Sequence, residues 1–332
     1  MIRAYFDSGT SNTRIYILRD NCLTDSASRA IGSRDSALSG DRRILVRALK
    51  EMYDGILNRN GLTDSDIGEI WASGMISCPS GMVEIEHVPV PADCALLARE
   101  TVEYEEKQYF HRKIKVIPGL KTIGRGIKAP LDRVSEVNNV RGEEVEVFGV
   151  LRQYPELRRG HAVVVLPGSH TQVLFLENGV IYNILSNVTG ELYSAVCKQS
   201  IIGASVEGQE KTSIDSAQVL KGIRNVEKYG FNRALYIVRA MELFADSTLT
   251  QRRSYLEGVL NAGVMRGISA ITKEMPVSVI VAGSKEQYEV FSAIGEDYPQ
   301  DTILFIEKKE QEPFSVAGMM SLAEYSPCNV NR

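Results

Sequence analysis

The chain has 332 residues, which is more than one hydrophobic core usually fills, so its length predicts two domains. Hydrophobic residues make up 44%, charged residues 24%, and the net charge is -4. This is the composition of a globular protein, and its charge offers no basic surface for nucleic acid or an anionic membrane. The 5 cysteines are widely spaced and form no C-x-x-C pair, which favours scattered reduced thiols over disulfides or structural zinc.

The sequence also indicates where the protein resides. No apolar run reaches the roughly 20 residues that a membrane-spanning helix needs. The first six residues run directly into a polar motif and lack the charged and apolar regions of a signal peptide. We therefore expect a cytoplasmic protein.

Hydrophobic periodicity predicts the elements of the first third of the chain. Apolar runs at 2–6 and 14–18 flank a small polar loop, which predicts a β-hairpin. Helical spacing over 42–58 predicts a helix that Asp41 caps. The elements predicted after it are a strand at 67–72, a helix over 93–109 and a strand at 115–117.

A stretch of low periodicity at 120–139 contains Gly124, Gly126 and Pro130, which indicates a linker or crossing loop. We therefore predict domains over 1–122 and 123–332, with the last helix packing back on the first domain.

The second half opens with a helix predicted over 143–153. A second strand–loop–strand unit follows at 162–177, and Asn178-Gly179 predicts a tight turn into another strand at 180–185. The remaining predicted elements are helices over 190–201, 214–226, 230–245 and 251–272, a strand at 277–282, a helix after Ser284, a strand at 302–306 and a helix over 313–324.

The loop of the first hairpin has a composition suited to phosphate. Gly9 lets the backbone approach an anion closely, and successive N–H groups with the hydroxyls of Thr10 and Ser11, next to Asn12, can surround it. Asp7 suits a Mg²⁺ shell that retains several waters. The alternative interpretation is a plain hairpin turn with local hydrogen bonds.

The loop of the second hairpin repeats this design. Gly168 gives access to the backbone, Ser169 and Thr171 carry hydroxyls, and His170 can donate to a phosphate or a carboxylate. Two such hairpins facing each other would hold the phosphates of a nucleotide between two domains.

A third motif, Arg141-Gly142-Glu143-Glu144, opens a predicted helix. One of its two carboxylates could accept a proton from a hydroxyl, while Arg141 holds an anionic substrate. The alternative is that the acids only complement the helix dipole. Gly283, at the end of a predicted strand, would let an adenine ring stack on the backbone. The alternative is a plain turn between a strand and a helix.

Taken in order, these segments resemble the 2-dehydro-3-deoxygalactonate kinase family. The ordered motifs are 7–14, 73–75, 117–120, 141–144, 166–170, 189–192, 238–240, 254–258 and 282–283. The resemblance implies a two-domain α/β actin-like ATPase (ribonuclease H-like) fold, with mixed sheets, helices on both faces and an ATP cleft between the domains. It also implies ATP, Mg²⁺ and a sugar-acid substrate bound by Arg14, Ser73, Gly74, Met75, Arg141, Thr189 and Glu191.

Three places depart from the pattern of the family. Ser8 stands where the family usually has Trp, and Gln172 stands where it usually has Lys. The loop at 76–82 ends in Gly-Met in place of Gly-Trp and lacks the Arg expected to contact the substrate carboxylate.

The resulting prediction is phosphorylation of the terminal (C6) hydroxyl of 2-dehydro-3-deoxygalactonate or a related 2-keto-3-deoxy acid. Asp7 organises Mg²⁺, Glu143 or Glu144 positions or deprotonates the hydroxyl, and Arg141 holds the acid end or a phosphate oxygen. The alternatives are a catalytically weakened sugar- or nucleotide-binding member of the fold, a sugar-acid kinase with another acceptor, and a phosphatase-like hydrolase. A homodimer is the expected assembly.

Overall fold

The computed structural model describes residues 1–208, 213–273, 275–309 and 311–325. The chain divides into two compact units. Unit 1 comprises Met1–Gly160, Glu177–Ile184 and the described residues from Lys309 onward. Unit 2 comprises His161–Leu176 and Leu185–Lys308.

The described residues form mixed α/β structure. The strands are β1 (Ile2–Ser8), β2 (Thr13–Arg19), β3 (Cys22–Arg29), β4 (Ile67–Gly74), β5 (Val88–Pro89), β6 (Val102–Glu106), β7 (Arg112–Val116), β8 (Leu120–Lys121), β9 (Asn139–Val140), β10 (His161–Leu166), β11 (His170–Glu177), β12 (Val180–Val188), β13 (Ser278–Gly283) and β14 (Thr302–Glu307). The helices are α1 (Ser33–Ser39), α2 (Arg43–Arg59), α3 (Cys94–Arg99), α4 (Glu143–Gln153), α5 (Gly190–Gln199), α6 (Gly203–Val206), α7 (Ser216–Tyr229), α8 (Phe231–Phe244), α9 (Leu249–Thr272), α10 (Lys285–Gly295) and α11 (Phe314–Glu324).

The larger sheet has the order β3-β2-β1-β4-β7-β6. β1, β2 and β3 form an antiparallel meander, whereas β4 and β7 run parallel to β1. Successive side chains of a strand point to opposite faces, so Ala4 and Phe6 share one face and pack against Leu45 and Leu49 of α2. Because β1 and β4 are parallel, their carboxyl ends meet at one edge, where Asp7 lies opposite Ser73.

The second sheet has the order β12-β11-β10-β13-β14. β13 runs parallel to both β10 and β14, and the short connections between β10, β11 and β12 are those of antiparallel hairpins. In each sheet, three strands that are consecutive in the chain come first in reverse order, β3-β2-β1 and β12-β11-β10. Two parallel strands follow them, β4-β7 and β13-β14. This repeated order confirms the predicted actin-like, ribonuclease H-like fold class.

Helices α4 and α11 of unit 1 pack closely because each presents a glycine to the other. A Cβ on Gly149 would lie 1.8 Å from the Phe314 carbonyl oxygen, and one on Gly318 would lie 1.8 Å from the Val145 carbonyl oxygen. The contact fixes α4, whose first turn carries Glu143 and Glu144.

The predicted domain boundary at residue 122 is wrong, because it falls inside unit 1. The stretch that follows stays with this unit: β9 pairs with β8, and α4 packs on α11. Strands of two residues carry no periodicity, so 120–139 looked like a linker. The last helix, α11, belongs to unit 1.

The helix predicted over 93–109 is also wrong beyond Arg99. Residues Val102–Glu106 form β6, an edge strand antiparallel to β7. The buried Glu106 carboxylate then accepts the N–H groups of Gln108, Tyr109 and Phe110 at 3.0, 2.7 and 2.7 Å, which closes the turn. Pairing with β7 therefore overrides the local helical pattern.

Three smaller predictions, on a helix cap, the cysteines and membrane helices, can also be compared with the structure. The N-cap of α2 is Arg42 and not the predicted Asp41, although the Asp41 carboxylate accepts the Arg43 N–H at 3.0 Å. Cys22, Cys78, Cys94 and Cys197 are free thiols, while Cys328 lies outside the described residues. In the described ranges, no helix has the length and apolar character to cross a membrane.

Candidate active site

The first hairpin places a tight turn at the carboxyl end of β1. The Gly9 N–H donates to the Asn12 carbonyl oxygen at 2.8 Å and closes the turn. The Gly9 and Thr10 carbonyl oxygens accept the N–H groups of Ser33 and Arg34 at 3.3 and 3.0 Å. The turn is therefore fixed from behind, and Thr10, Ser11 and Asn12 stay exposed at its front.

Gly32 makes this arrangement possible, and it was missed from the sequence. A Cβ at this position would lie 2.3 Å from the Thr10 carbonyl oxygen. The only signal was Gly-Ser before a short polar helix, which is common at ordinary turns.

The second hairpin is supported in the same way. A Cβ on Gly190 would lie 2.3 Å from the Gly168 carbonyl oxygen, and the Glu191 N–H donates to the Ser169 carbonyl oxygen at 2.7 Å. The first turn of α5 therefore holds this hairpin, as the segment around Gly32 holds the first. Gly168 and Ser169 are left exposed.

Side chains around the second hairpin are already paired within unit 2. The hydroxyls of Thr171 and Thr189 share a hydrogen bond of 2.7 Å, so the Thr189 side chain does not cap α5. His170 Nε2 lies 3.2 Å from Glu191 Oε2.

A cavity of about 210 Å³ opens beside this hairpin, within unit 2. Glu257 lies in its wall with Asn261, whose Nδ2 donates to Glu257 Oε2 at 3.1 Å. Burial raises the pKa of Glu257 to about 7. The cavity is lined by Pro167, Gly168, Thr171, Thr189, Gly190, Tyr193, Ile214, Glu257, Asn261, Glu286, Gln287, Val290 and Phe291.

Gly283 stands next to this cavity and does not line it. Its Cβ position lies 2.4 Å from Gln287 Oε1 and 3.5 Å from the Pro167 ring. The Gln287 side chain itself donates to the Pro167 carbonyl oxygen at 3.4 Å. A ring stacked on Gly283 would therefore contact Gln287 first.

At the edge of unit 1, the start of α4 meets the carboxyl end of β4. A Cβ on Gly142 would lie 3.2 Å from the Cα of Gly74. Gly74 is followed by Met75, which begins a short 3₁₀ turn. This edge thus gathers Asp7, Ser73, Gly74 and the first turn of α4. Arg14 lies exposed on β2, opposite Asp7.

The two acids of α4 occupy different surroundings. Glu144 is fully buried, and both its carboxyl oxygens accept the Gly142 N–H at 2.8 Å. Burial, followed by the charge of Glu143, raises the pKa of Glu144 to about 8. A carboxyl group that is protonated at neutral pH is a poor general base, so of the two only the half-buried Glu143 suits the predicted role.

Arg141 reaches away from α4 into the loop that follows β4. Its Nη1 donates to Ser77 Oγ at 2.6 Å, and its Nη2 donates to the Ile85 carbonyl oxygen at 2.9 Å. The same Nη2 lies 3.3 Å from His87 Nδ1. Ser77 and His87 were not predicted as site residues, because only the fold brings this loop to Arg141.

Asp7 is half-buried at the end of β1, above a buried pair of hydroxyls. The Tyr5 hydroxyl and Ser73 Oγ lie 2.6 Å apart, and burial with the nearby Asp7 charge raises the pKa of Tyr5. Among the described residues no three acidic, His or Cys side chains form a cluster that could hold a metal. One carboxylate fits Mg²⁺ that is held mainly by phosphates and water.

Comparison with known proteins identifies the class. A family model described as 2-keto-3-deoxy-galactonokinase matches residues 7–298. A Rhizobium meliloti (strain 1021) protein assigned as a 2-dehydro-3-deoxygalactonokinase is 24% identical over 275 residues, covering 81% of this chain and 82% of that protein. The 2-dehydro-3-deoxygalactonokinase of Escherichia coli (strain K12) is 22% identical over 228 residues, covering 68% and 70%.

A solved structure shows the same fold. The crystal structure of a Sinorhizobium meliloti protein, also assigned as a 2-dehydro-3-deoxygalactonokinase, has a TM-score of 0.76 at 20% identity. The match covers 99% of this chain and 100% of that one. Together with the family match, the fold and the site define a phosphotransferase that acts on an alcohol group. The chain belongs to the 2-keto-3-deoxy-galactonokinase family and is a sugar-acid kinase.

Proposed function

We propose that this protein transfers the γ-phosphoryl group of ATP to the C6 hydroxyl of 2-dehydro-3-deoxygalactonate or a close 2-keto-3-deoxy acid. The observation that carries the proposal is the repeated turn. In each unit a glycine at the start of a helix fixes the carbonyls of a hairpin, which leaves an exposed, hydroxyl-bearing tip. Such tips suit phosphate oxygens.

The nucleotide has a natural place in unit 2. The cavity of about 210 Å³ lies directly beside Gly168 and combines apolar walls with the Glu257–Asn261 pair. We assign it to the adenosine of ATP, with the phosphates on Gly168, Ser169 and His170. Apolar walls with a few polar groups are typical of nucleoside pockets.

In unit 1, Asp7 and the first hairpin act on the transferred phosphoryl group. Mg²⁺, bound with the nucleotide, offsets the charge that spreads over the phosphoryl oxygens. The Asp7 carboxylate would hold the waters of that ion, and Thr10 and Ser11 would donate to phosphate oxygens. Glu143 orients the acceptor hydroxyl and takes its proton, and Arg141 binds the acceptor carboxylate.

A substrate panel tests the reaction. ADP release should be measured with 2-dehydro-3-deoxygalactonate, 2-dehydro-3-deoxygluconate and related acids, against a control without acceptor. We expect turnover that depends on both acceptor and Mg²⁺. Release of phosphate without an acceptor would indicate a hydrolase instead. Turnover only with another acid would indicate a sugar-acid kinase with a different acceptor.

Asp7→Asn tests the assignment of the site. The substitution removes the charge that holds the Mg²⁺ waters but retains the shape of the side chain. We therefore expect kcat to fall by a factor of about 10³ with an unchanged melting temperature. Normal turnover by this variant would contradict the role of Asp7, and Asp20→Asn, at an exposed turn of the same unit, serves as the control.

One observation favours a second candidate, a weakened member that binds nucleotide without efficient transfer. Gln172 is buried, and its Oε1 has no hydrogen-bond partner among the described residues. A Lys there would add a charge that Gln cannot supply. ATP binding by calorimetry without phosphoryl transfer to any acid of the panel would support this candidate, and Gln172→Lys should then raise kcat.

A further inference from the structure

The guanidinium of Arg141 is held by neutral groups alone. Its partners are the Ser77 hydroxyl, the Ile85 carbonyl and the His87 ring. Within the described ranges no carboxylate lies at ion-pair distance from it. A half-buried cation without a counter-ion attracts an anion strongly, because its charge is poorly screened by water.

Two nearby acids, Glu144 and Glu84, act on this charge without forming an ion pair with it. Glu144 is the acid with the largest influence on Arg141, yet it is buried and hydrogen-bonded to the Gly142 N–H. Its raised pKa of about 8 makes it mostly neutral at pH 7. Glu143 Oε2 accepts the Arg141 backbone N–H at 3.1 Å, so this contact is with the main chain of Arg141 and not with its guanidinium.

His87 is suited to hold Arg141 without neutralising it. Burial and the charges of Arg141 and Lys121 lower the pKa of His87 to about 4, so the ring is neutral at pH 7. A neutral ring that accepts from Arg141 at Nδ1 carries its proton on Nε2, so Nε2 cannot also accept from Asn139 Nδ2, which lies 3.3 Å away. Gly119 lets the ring and the arginine stem pack closely, since a Cβ there would lie 2.8 Å from His87 Cδ2 and 2.7 Å from Arg141 Cγ.

We propose that His87 is a positioning residue that, with Ser77, aims the unpaired Arg141 guanidinium at the carboxylate of the acceptor substrate. The inference rests on the proposed function and extends it to the part of the site that recognises an acid. The loop residues 77–87 and Arg141 thereby form a receptor for one carboxylate group. The three acceptors take both N–H groups of Nη2 and one of Nη1, which fixes the plane of the guanidinium and leaves the Nε and second Nη1 N–H groups to donate to a carboxylate.

The test separates the binding of acceptor from every other step. His87→Leu removes the acceptor at Nδ1, and His87→Asn returns an oxygen to about the same place. With 2-dehydro-3-deoxygalactonate as the probe, we expect His87→Leu to raise the acceptor KM at least about tenfold. The KM for ATP and kcat at saturating acceptor should stay within about threefold, and His87→Asn should recover most of the loss.

A double-mutant cycle with Arg141→Gln shows whether His87 acts through the arginine. In the Arg141→Gln background, His87→Leu should change the acceptor KM by less than about twofold, because there is no guanidinium left to aim. The C1 amide of the same acceptor, which lacks the charge, should show similar KM values with and without His87→Leu. His111→Asn, at an exposed histidine of the same unit, is the matched control.

Three outcomes would overturn the inference: a fall in kcat with unchanged acceptor KM, an equal rise in the ATP KM, or an additive cycle. If His87→Leu fails to fold, Ser77→Ala provides the same measurement, since Ser77 is the other side-chain acceptor of Arg141. Failure of the proposed function is distinguishable, because the wild-type protein would then turn over none of the acids of the panel.

Discussion

At the residue scale, the buried Glu144 connects packing with pH. Its carboxyl group is completely enclosed at the start of α4, where water cannot solvate a charge. The folded protein therefore holds a proton on it up to about pH 8, whereas the unfolded chain releases that proton near 4.5. Between these values the folded state binds more protons, so this group lowers stability as pH rises through the window.

Glu144→Gln should remove this pH dependence. The amide oxygen can still accept the Gly142 N–H, and the side chain carries no charge to bury. We expect the stability of the variant relative to the wild type to increase by about 1–4 kcal/mol between pH 5 and pH 8. Urea unfolding at the two pH values measures the difference, and Glu156→Gln, at an exposed acid of the same unit, is the control. An equal difference at both values would show that Glu144 is ionised in the folded protein.

The same residue shows what the sequence could not decide. A sequence does not show which of two adjacent acids at a helix start will be buried. The roles of Glu143 and Glu144 therefore could not be distinguished from the sequence. The orientation of α4 buries one carboxyl and leaves the other half-exposed. Which acid can work at neutral pH is therefore a property of packing.

At the element scale, each of the two hairpins proposed to bind phosphate depends on the helix start behind it. The sequence predicted the hairpins because their strands are continuous apolar runs joined by small polar residues. It did not predict the supports, Gly32 and Gly190, as such, because their role is a close approach between segments distant in sequence. The helix starts fix the carbonyl oxygens of both turns, and with them the shape of each hairpin tip.

Gly190→Ala should disturb the second hairpin. The new Cβ would meet the Gly168 carbonyl oxygen at 2.3 Å, so α5 and the hairpin must separate. We expect the KM for ATP to rise at least about tenfold and the stability to fall by about 1–3 kcal/mol. Steady-state kinetics with varied ATP and urea unfolding measure the two effects.

Gly263→Ala is the matched control in unit 2. It lies in α9, where a Cβ would meet nothing within 4 Å. Because alanine favours helix, this variant should gain about 0.5–1 kcal/mol and retain its KM for ATP. Similar ATP kinetics for the two variants would contradict the supporting role of Gly190.

At the scale of the whole molecule, unit 1 is built from separate parts of the chain. Its last helix, α11, buries Phe314, Met319 and Leu322 and packs on α4 through Gly318. The edge of unit 1 that carries Asp7 and the start of α4 therefore depends on a helix that lies about 160 residues after α4 in sequence. A cut at the predicted boundary of residue 122 would separate β1 from both helices.

A chain that ends at Lys308 should consequently lose the structure of unit 1. Removal of α11 exposes the apolar face of α4, so we expect rapid proteolysis within 1–160 and loss of kinase activity. Gly318→Ala in the full-length chain should weaken the same contact, by about 1–3 kcal/mol. Gly55→Ala, at an open position of α2, is the control, and an intact unit 1 in the shortened chain would refute the dependence.

The sequence by itself determined the two hairpins, the start of α4 and the order of motifs that marks the family, because these are local patterns of polarity and turn residues. The tertiary structure alone decided the extent of unit 1, the supports of the hairpins, the burial of Glu144 and the arrangement of His87 around Arg141. Each of these depends on residues that are distant in sequence. Their environment, and with it their charge and reach, exists only once the chain has folded.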